Sequence, residues 1–313
     1  MRVLIVGVGA VGGFFGAALA QAGADVTFLA RGRRLEQLRA SGVEIVQTDA
    51  SRTATPVNAV PAAELEGPYD LVILAVKGTA VEPAIADIRS HLGPDTAILP
   101  LLNGIAHLAT LTRLVGAPRV LGGVGIVATE LLDDGSILQL APAASITFGE
   151  LDGTRSARVE TIARLFAPAA FDSAISTTIE QDMWEKWFFM ATGGASTVLL
   201  GGDVGEIADA SGGASVVLDI IAEAAATAAS AGHAIRPEAV NRVTATLTTA
   251  GSPFTTSLYR DFRAGRAAES EPILGDLVAV AERGQLQVPL LRAAAVRLRT
   301  HNARVAAKAQ ERR

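Results

Sequence analysis

The first half of the chain alternates short, wholly apolar runs with stretches whose apolar positions recur at helical spacing. Residues 3–6, 26–29, 71–76 and 97–99 are apolar runs of strand length. Continuous runs of this kind mark strands covered on both faces, as in a parallel sheet. Between them, residues 11–21, 33–40 and 79–91 carry the helical period. The pattern predicts successive βα units and a doubly wound parallel sheet of Rossmann type. Residues 120–127, 137–140 and 146–148 read as further strands, with Asp133-Asp134-Gly135 as a turn between two of them.

The character changes at about residue 176. Residues 181–191, 215–231, 237–250, 273–283 and 289–307 read as helices, and strand candidates disappear. Pro237 and Pro289 suit first-turn positions and Gly232 suits a helix stop. The expectation is an α/β dinucleotide-binding domain over residues 1–175 and an all-helical substrate and catalytic domain over 176–313. The basic tail, residues 304–313, reads as a frayed terminus. The apolar helices 215–231 and 289–307 either pack within their own domain or pair with a second copy to give a homodimer.

Composition narrows the chemistry. The 313 residues hold Lys+Arg 27 against Asp+Glu 32, a net charge of −5, and no cysteine. A disulfide framework, a thiolate metal site and a cysteine nucleophile are thereby excluded, and no metal is expected. Mild acidity gives no reason to expect nucleic acid as a partner. Residues 3–24 carry no charge and are long enough to suggest a membrane span. Gly7, Gly9, Gly12, Gly13 and Gly16 within them fit a buried strand and a closely packed helix better. Asp219 and Glu223 interrupt the other long apolar stretch. The chain reads as soluble and cytoplasmic, with no membrane partner.

Gly7-Val8-Gly9-Ala10-Val11-Gly12 is a G-x-G-x-x-G placed after a strand and opening a helix. Gly7 permits the tight turn, Gly9 lets backbone approach a pyrophosphate, and Gly12 lets the helix pack on the strand. The helix N-terminus adds free N–H donors and a positive dipole. At the end of the second strand, Arg31 stands where NAD-specific proteins place Asp or Glu. A guanidinium cannot accept a bond from the ribose 2′-hydroxyl but pairs with a 2′-phosphate, which favours NADP(H). Lys77 follows the third apolar strand and so sits at the C-terminal sheet edge, where ligands bind.

A nicotinamide enzyme acting on a carbonyl needs a proton donor. The four histidines, His91, His107, His233 and His301, are scattered, and neither H-E-x-x-H nor G-x-S-x-G occurs. Lysine is the natural substitute, because partial burial lowers its pKa towards neutrality. The lysines are Lys77, Lys186 and Lys308, and Lys186 lies among Trp184, Trp187, Phe188 and Phe189 at a helix start.

Taken in order and spacing, Gly7 to Gly12, Arg31, Lys77, Asn103-Gly104, Trp184-x-Lys186, Ser257-x-x-x-Asp261 and Glu269 resemble the ketopantoate reductase (2-dehydropantoate 2-reductase) family over essentially the whole chain. The resemblance implies a nicotinamide-binding domain followed by a helical one, and a reductase of pantothenate biosynthesis. It implies that Lys186 protonates the ketone oxygen during hydride transfer from NADPH, and that Glu269 orients lysine, substrate and cofactor. It places Asn103 near nicotinamide and substrate, Ser257 on the substrate, and the Ala128 backbone on the cofactor.

The chain departs from the family pattern beside the lysine. Family asparagines four and eight residues after it are Met190 and Gly194, and a third, before Gly205-Glu206-Ile207, is Val204. Met190 and Gly194, one helical turn apart, are expected to line the substrate, with Gly194 leaving room for extra bulk. The expected activity is therefore NADPH-dependent reduction, to the hydroxy compound, of a small-molecule 2-oxo acid or related ketone with a larger, less polar tail. Two alternatives stay open: reduction of a C=N bond, as in imine or opine formation, and a non-catalytic NADP-binding sensor.

Overall fold

The computed structural model describes residues 1–311. Its elements in chain order begin with β1 (Arg2–Val6), α1 (Ala10–Gln21), β2 (Asp25–Leu29), α2 (Gly32–Ser41), β3 (Val43–Val46), β4 (Arg52–Thr55) and β5 (Asn58–Val60). There follow β6 (Tyr69–Leu74), α3 (Val81–Ile88), β7 (Leu92–Pro100), α4 (Ala106–Val115), β8 (Leu121–Leu131), β9 (Ile137–Glu150), α5 (Ala157–Phe166) and β10 (Asp172–Ile175). The rest is helical: α6 (Ile179–Leu200), α7 (Val204–Asp209), α8 (Gly213–Ser230), α9 (Pro237–Leu247), α10 (Ser257–Arg263), α11 (Asp276–Arg283) and α12 (Pro289–Glu311), with a π-helical turn at Glu271–Gly275.

Two compact units result. One comprises Met1–Leu102 and His107–Glu180, the other Asn103–Ala106 and Gln181–Arg313 as far as it is described. The division falls five residues beyond the expected 175/176 boundary. The reason is Ile179, which is buried against Gly122 and Gly149, so the start of α6 belongs with the first unit. The sequence pattern also gave no hint that Asn103–Ala106 groups with the helices.

In the first unit β5-β2-β1-β6-β7 form a five-stranded sheet, and every pairing in it is parallel. Successive residues of β1 serve opposite faces. Val3 and Ile5 pack with Phe15, Phe28 and Leu19, while Leu4 and Val6 pack with Ile85, Ile88 and Leu111. Burial on both sides explains the unbroken apolar runs. The strand order reverses between β1 and β6, the switch point at which open α/β sheets bind ligands. The later strands do not extend this sheet. β9 spans both predicted runs as one strand, pairs antiparallel with β8, and joins β10, β3 and β4 in a second, mixed sheet.

The uncharged N-terminal stretch is β1 and α1, buried over most of their length. Gly16 makes this possible, because a Cβ there would lie 2.5 Å from the Phe28 ring and 2.9 Å from Ile5. In the second unit α6 is the central element, with Trp187, Ala191, Ala195 and Val198 packed with residues of α7 through α12. Among the described residues one helix, α8, is long and apolar enough by length and composition to cross a membrane, and a third of it is buried. α12 continues through Glu311, so the tail expected to fray from residue 304 is helical that far. Arg312 and Arg313 lie outside the described residues.

Candidate active-site elements

In the first unit the glycine-rich turn is built by close approaches. Gly7 has φ +96°, and a Cβ there would sit 2.7 Å from the Ala75 carbonyl and the Val76 nitrogen, at the end of β6. A Cβ on Gly12 would meet the Gly7 carbonyl oxygen at 2.2 Å, so α1 starts directly against the turn. Gly9 is different: a Cβ there would meet nothing within 4 Å. Gly9 caps α1 with no side-chain acceptor, leaving the first-turn N–H groups of Ala10, Val11 and Gly12 free of intrahelical partners. Two glycines tighten the turn, the third leaves open space before a helix N-terminus. The residues present therefore fit a dinucleotide pyrophosphate.

Arg31 caps α2 through its backbone, and its side chain is 78% exposed, with one loose ion pair to Asp87 at 3.6 Å. The neighbouring arginines are committed. Arg33 donates to the Asp133 carbonyl at 2.6 Å, and Arg34 donates to the Val8 carbonyl at 2.8 Å and the Gly135 carbonyl at 2.6 Å. Arg34 thus ties the glycine turn to the β8–β9 hairpin, and burial lowers its pKa from the ordinary arginine value. Nothing in the sequence separated Arg34 from its neighbours as the structural member of the cluster. Lys77 is exposed just beyond β6. Ala128 sits where the β8–β9 register shifts between Val127 and Thr129 and has no partner residue in the β9 ladder.

In the second unit Lys186, Glu269 and Asn103 come together. The turn of α6 that bears Lys186 is pinned from several sides. The Trp187 indole N–H donates to the Ile273 carbonyl at 2.9 Å, and Trp184 stacks on His233 at 4.9 Å. Arg236 donates to both Glu185 oxygens and to Asp182. These bonds use the acidic neighbours of Lys186 on its own helix, so Glu269 is the carboxylate left to act on it. Desolvation pushes the Lys186 ammonium down to about 8, and the Glu269 charge opposes that shift. Glu269 in turn accepts a hydrogen bond from Asn103 Nδ2 at 3.0 Å.

The Asn103-Gly104 pair is more than a turn. Gly104 has φ +72°, and a Cβ there would lie 2.4 Å from the Pro272 carbonyl oxygen. Only glycine lets this backbone press against the segment that follows Glu269. Ser257 is exposed at the first position of α10, and the cap is supplied by Thr256, whose hydroxyl accepts from the Tyr259 N–H. The Ser257 hydroxyl is thereby spared the capping duty its position suggested. Thr256 is also bonded to Thr197 Oγ1 at 2.9 Å, which fixes the start of α10 against α6.

The expectation of extra room at Gly194 is overturned. Gly194 is buried, and Leu258 Cδ1 lies 2.6 Å from where its Cβ would be. The space vacated by the missing side chain is filled by the residue after Ser257, a compensation that no local pattern announces. Gly194 is therefore shielded rather than a lining residue. Met190 is partly buried and packs on the core, and Val204 is buried at 1% exposure. The hydroxyls of α6 are spent on their own helix: Thr192 donates to Phe188, Ser196 to Thr192 and Thr197 to Gly193, each at 2.8 Å.

Together these features define the class: an α/β unit with a nicotinamide-dinucleotide turn, and a helical unit with a lysine whose proton is made labile by burial. Comparison with known proteins agrees. Residues 3–153 match the family described as Ketopantoate reductase PanE/ApbA, and residues 178–302 match Ketopantoate reductase PanE/ApbA C terminal. The chain belongs to the ketopantoate reductase family, oxidoreductases that use a nicotinamide cofactor.

Among its relatives, an uncharacterized oxidoreductase, YkpB, of Bacillus subtilis is 29% identical over 97% of this chain and 99% of its own. A 2-dehydropantoate 2-reductase of Mesorhizobium japonicum is 27% identical, covering 91% and 92%. Among solved structures, a 2-dehydropantoate 2-reductase of Methylococcus capsulatus superposes with TM-score 0.83 at 29% identity, covering 97% and 98%. D-mandelate dehydrogenase, in a ternary structure with NADH and anilino(oxo)acetate, shares the fold with TM-score 0.87 at 21% identity, covering 98% and 100%.

Proposed function

We propose that the protein is a cytoplasmic, NADPH-dependent reductase of 2-oxo acids whose tails are less polar than that of ketopantoate. The observation that carries this reading is the Lys186–Glu269–Asn103 constellation, with its ammonium brought to about 8. Bound NADPH would supply the hydride to the carbonyl carbon, held by the Gly7 to Gly12 turn, Arg31, Lys77 and the Ala128 backbone. The chain's own residues handle the charge that results. As the carbonyl oxygen gains negative charge, the Lys186 ammonium stabilises it and passes it a proton from Nζ. Glu269 keeps the ammonium charged and directed, and the Asn103 amide keeps Glu269 in place. Ser257, with its hydroxyl uncommitted, is suited to bind the carboxylate end of the substrate.

Selectivity follows from what surrounds the other end. Ketopantoate carries a hydroxyl on its tail, which needs a partner when buried. Met190 and Val204 offer none, Leu258 covers Gly194, and the α6 hydroxyls of Thr192, Ser196 and Thr197 are buried with their protons donated within the helix. A buried hydroxyl left unpaired costs roughly 1–3 kcal/mol. 3,3-Dimethyl-2-oxobutanoate, which is ketopantoate without that hydroxyl, isolates the effect.

Four outcomes are expected. Lys186→Ala lowers kcat by roughly 10²–10⁴-fold, the size of a lost general acid, with NADPH affinity unchanged by fluorescence titration. In the intact enzyme kcat/KM for reduction is flat below about 8 and declines as pH rises through that value, because the donor loses its proton there. Activity that survives the substitution, or that rises with pH through this window, removes Lys186 from the acid role.

In steady-state assays the deoxy analogue outperforms ketopantoate in kcat/KM by roughly 5–100-fold, the rate equivalent of one unpaired hydroxyl. Preferred turnover of ketopantoate would contradict the apolar-tail reading. Arg31→Ala raises the KM for NADPH about tenfold or more and leaves that for NADH within about twofold, as loss of one charge-assisted phosphate contact requires. Equal effects on both cofactors would remove the 2′-phosphate role.

A further inference from the structure

The segment that bears Glu269 is not part of a regular helix. The Ser270 N–H donates to the Ala268 carbonyl at 2.9 Å, so Glu269 is the middle residue of a three-residue turn. Such a turn has one internal hydrogen bond and little stiffness of its own. The flanking residues are nevertheless buried, Ala268 at 7% and Ser270 at 4% exposure. Their backbone and hydroxyl groups therefore need partners from elsewhere.

One side chain on α12 supplies three of them, while the Ser270 hydroxyl also donates to Glu271 Oε1 at 3.4 Å. Asn302 Oδ1 accepts from the Ala268 N–H at 2.9 Å, and Asn302 Nδ2 donates to the Ala268 carbonyl at 2.9 Å and to Ser270 Oγ at 3.2 Å. The amide reproduces on Ala268 the paired bonds of a strand neighbour, and its third bond reaches the other side of Glu269. Two further residues of α12 hold the rest of the segment. His301 Nε2 is bonded to the Arg266 carbonyl at 2.8 Å, and Arg299 donates to both Glu271 oxygens at 2.9 and 2.7 Å.

We infer that Asn302 is a positioning residue for Glu269, fixing from behind the turn whose apex directs that carboxylate at Lys186. The inference rests on the reading of Lys186 and Glu269 given above. Asn302 touches neither of them and acts through the backbone of Ala268 and the hydroxyl of Ser270. Asn103 holds the carboxylate from its oxygen end, and Asn302 holds the turn beneath it. Without Asn302 the turn loses three bonds and Glu269 can swing away from the ammonium.

The test uses the full-length enzyme with NADPH and 3,3-dimethyl-2-oxobutanoate, comparing Asn302→Ala and Glu269→Gln with the parent. Asn302→Ala is expected to lower kcat by about 10–100-fold, the penalty of an ångström-scale misplacement, while NADPH affinity stays within about twofold. It is also expected to move the basic limb of the kcat/KM profile to lower pH, as Glu269→Gln does, because less of the Glu269 charge reaches Lys186. That limb is the reading a merely structural role would not move. A drop in activity that only tracks the folded fraction, with an unmoved limb, overturns the inference.

So does parent-like kcat in Asn302→Ala when Glu269→Gln is impaired, and in that case the role of Glu269 stands. Parent-like behaviour of Glu269→Gln refutes the Glu269 reading and this inference with it. If Asn302→Ala fails to fold, Asn302→Asp carries the same expectations. It keeps the acceptor for the Ala268 N–H and loses both donated bonds.

Discussion

The helical unit is organised around one electrostatic compromise: an ammonium taken largely out of water and given a single carboxylate in return. Burial makes Lys186 a weaker holder of its proton, which a general acid near neutrality needs, and the Glu269 charge opposes that shift. The balance depends on where Glu269 stands. Its placement uses Asn103 on one side and the turn at Ala268 and Ser270 on the other. Gly104 is required for Asn103 to come so close, because any side chain there would strike the Pro272 carbonyl. The aromatic packing of Trp184 and Trp187 and the Arg236 clamp on Asp182 and Glu185 then fix the lysine's own helix turn.

The first unit answers a different constraint, the need to bring backbone N–H groups to an anionic group without side chains in the way. Gly7 and Gly12 are consumed by packing, and the freedom this creates is spent at Gly9. Arg34 shows that a cluster of like charges can divide its labour. One guanidinium is partly buried as a brace for the glycine turn, one holds a hairpin carbonyl, and Arg31 is exposed with only a loose pairing to Asp87.

Much of this was legible in the sequence because it rests on local pattern. Apolar runs doubly covered by helices, the glycine spacing, and a lysine amid aromatics each carry their signal within a few residues. The short strands β3, β4 and β5 escaped; β4 and β5 lie at sheet edges, where exposed polar positions such as Arg52 and Asn58 hide them among loop residues. Two runs expected as separate strands proved to be parts of one, β9, although its pairing with β8 lapses between them: Val127 pairs with Ala144 and Thr129 with Gln139, so the residues from Leu140 to Ala143 have no partner in β8. The filling of Gly194 by Leu258 and the grip of Asn302 on Ala268 join residues 64 and 34 positions apart, so no window of sequence contains both partners. Departures from the family pattern drew attention to Met190, Gly194 and Val204, but only packing revealed that a lost side chain need not leave a hole.

The central claim, that Lys186 is a proton donor poised by burial and held by Glu269, can be measured on the group itself. The chain contains only three lysines, so ¹³Cε-lysine labelling gives a spectrum in which Lys186 is assigned by its loss in Lys186→Met. Titration by NMR should place the Lys186 midpoint near 8, and Glu269→Gln should move it lower still. A midpoint at the ordinary lysine value of about 10.4, or one indifferent to Glu269, would contradict the account.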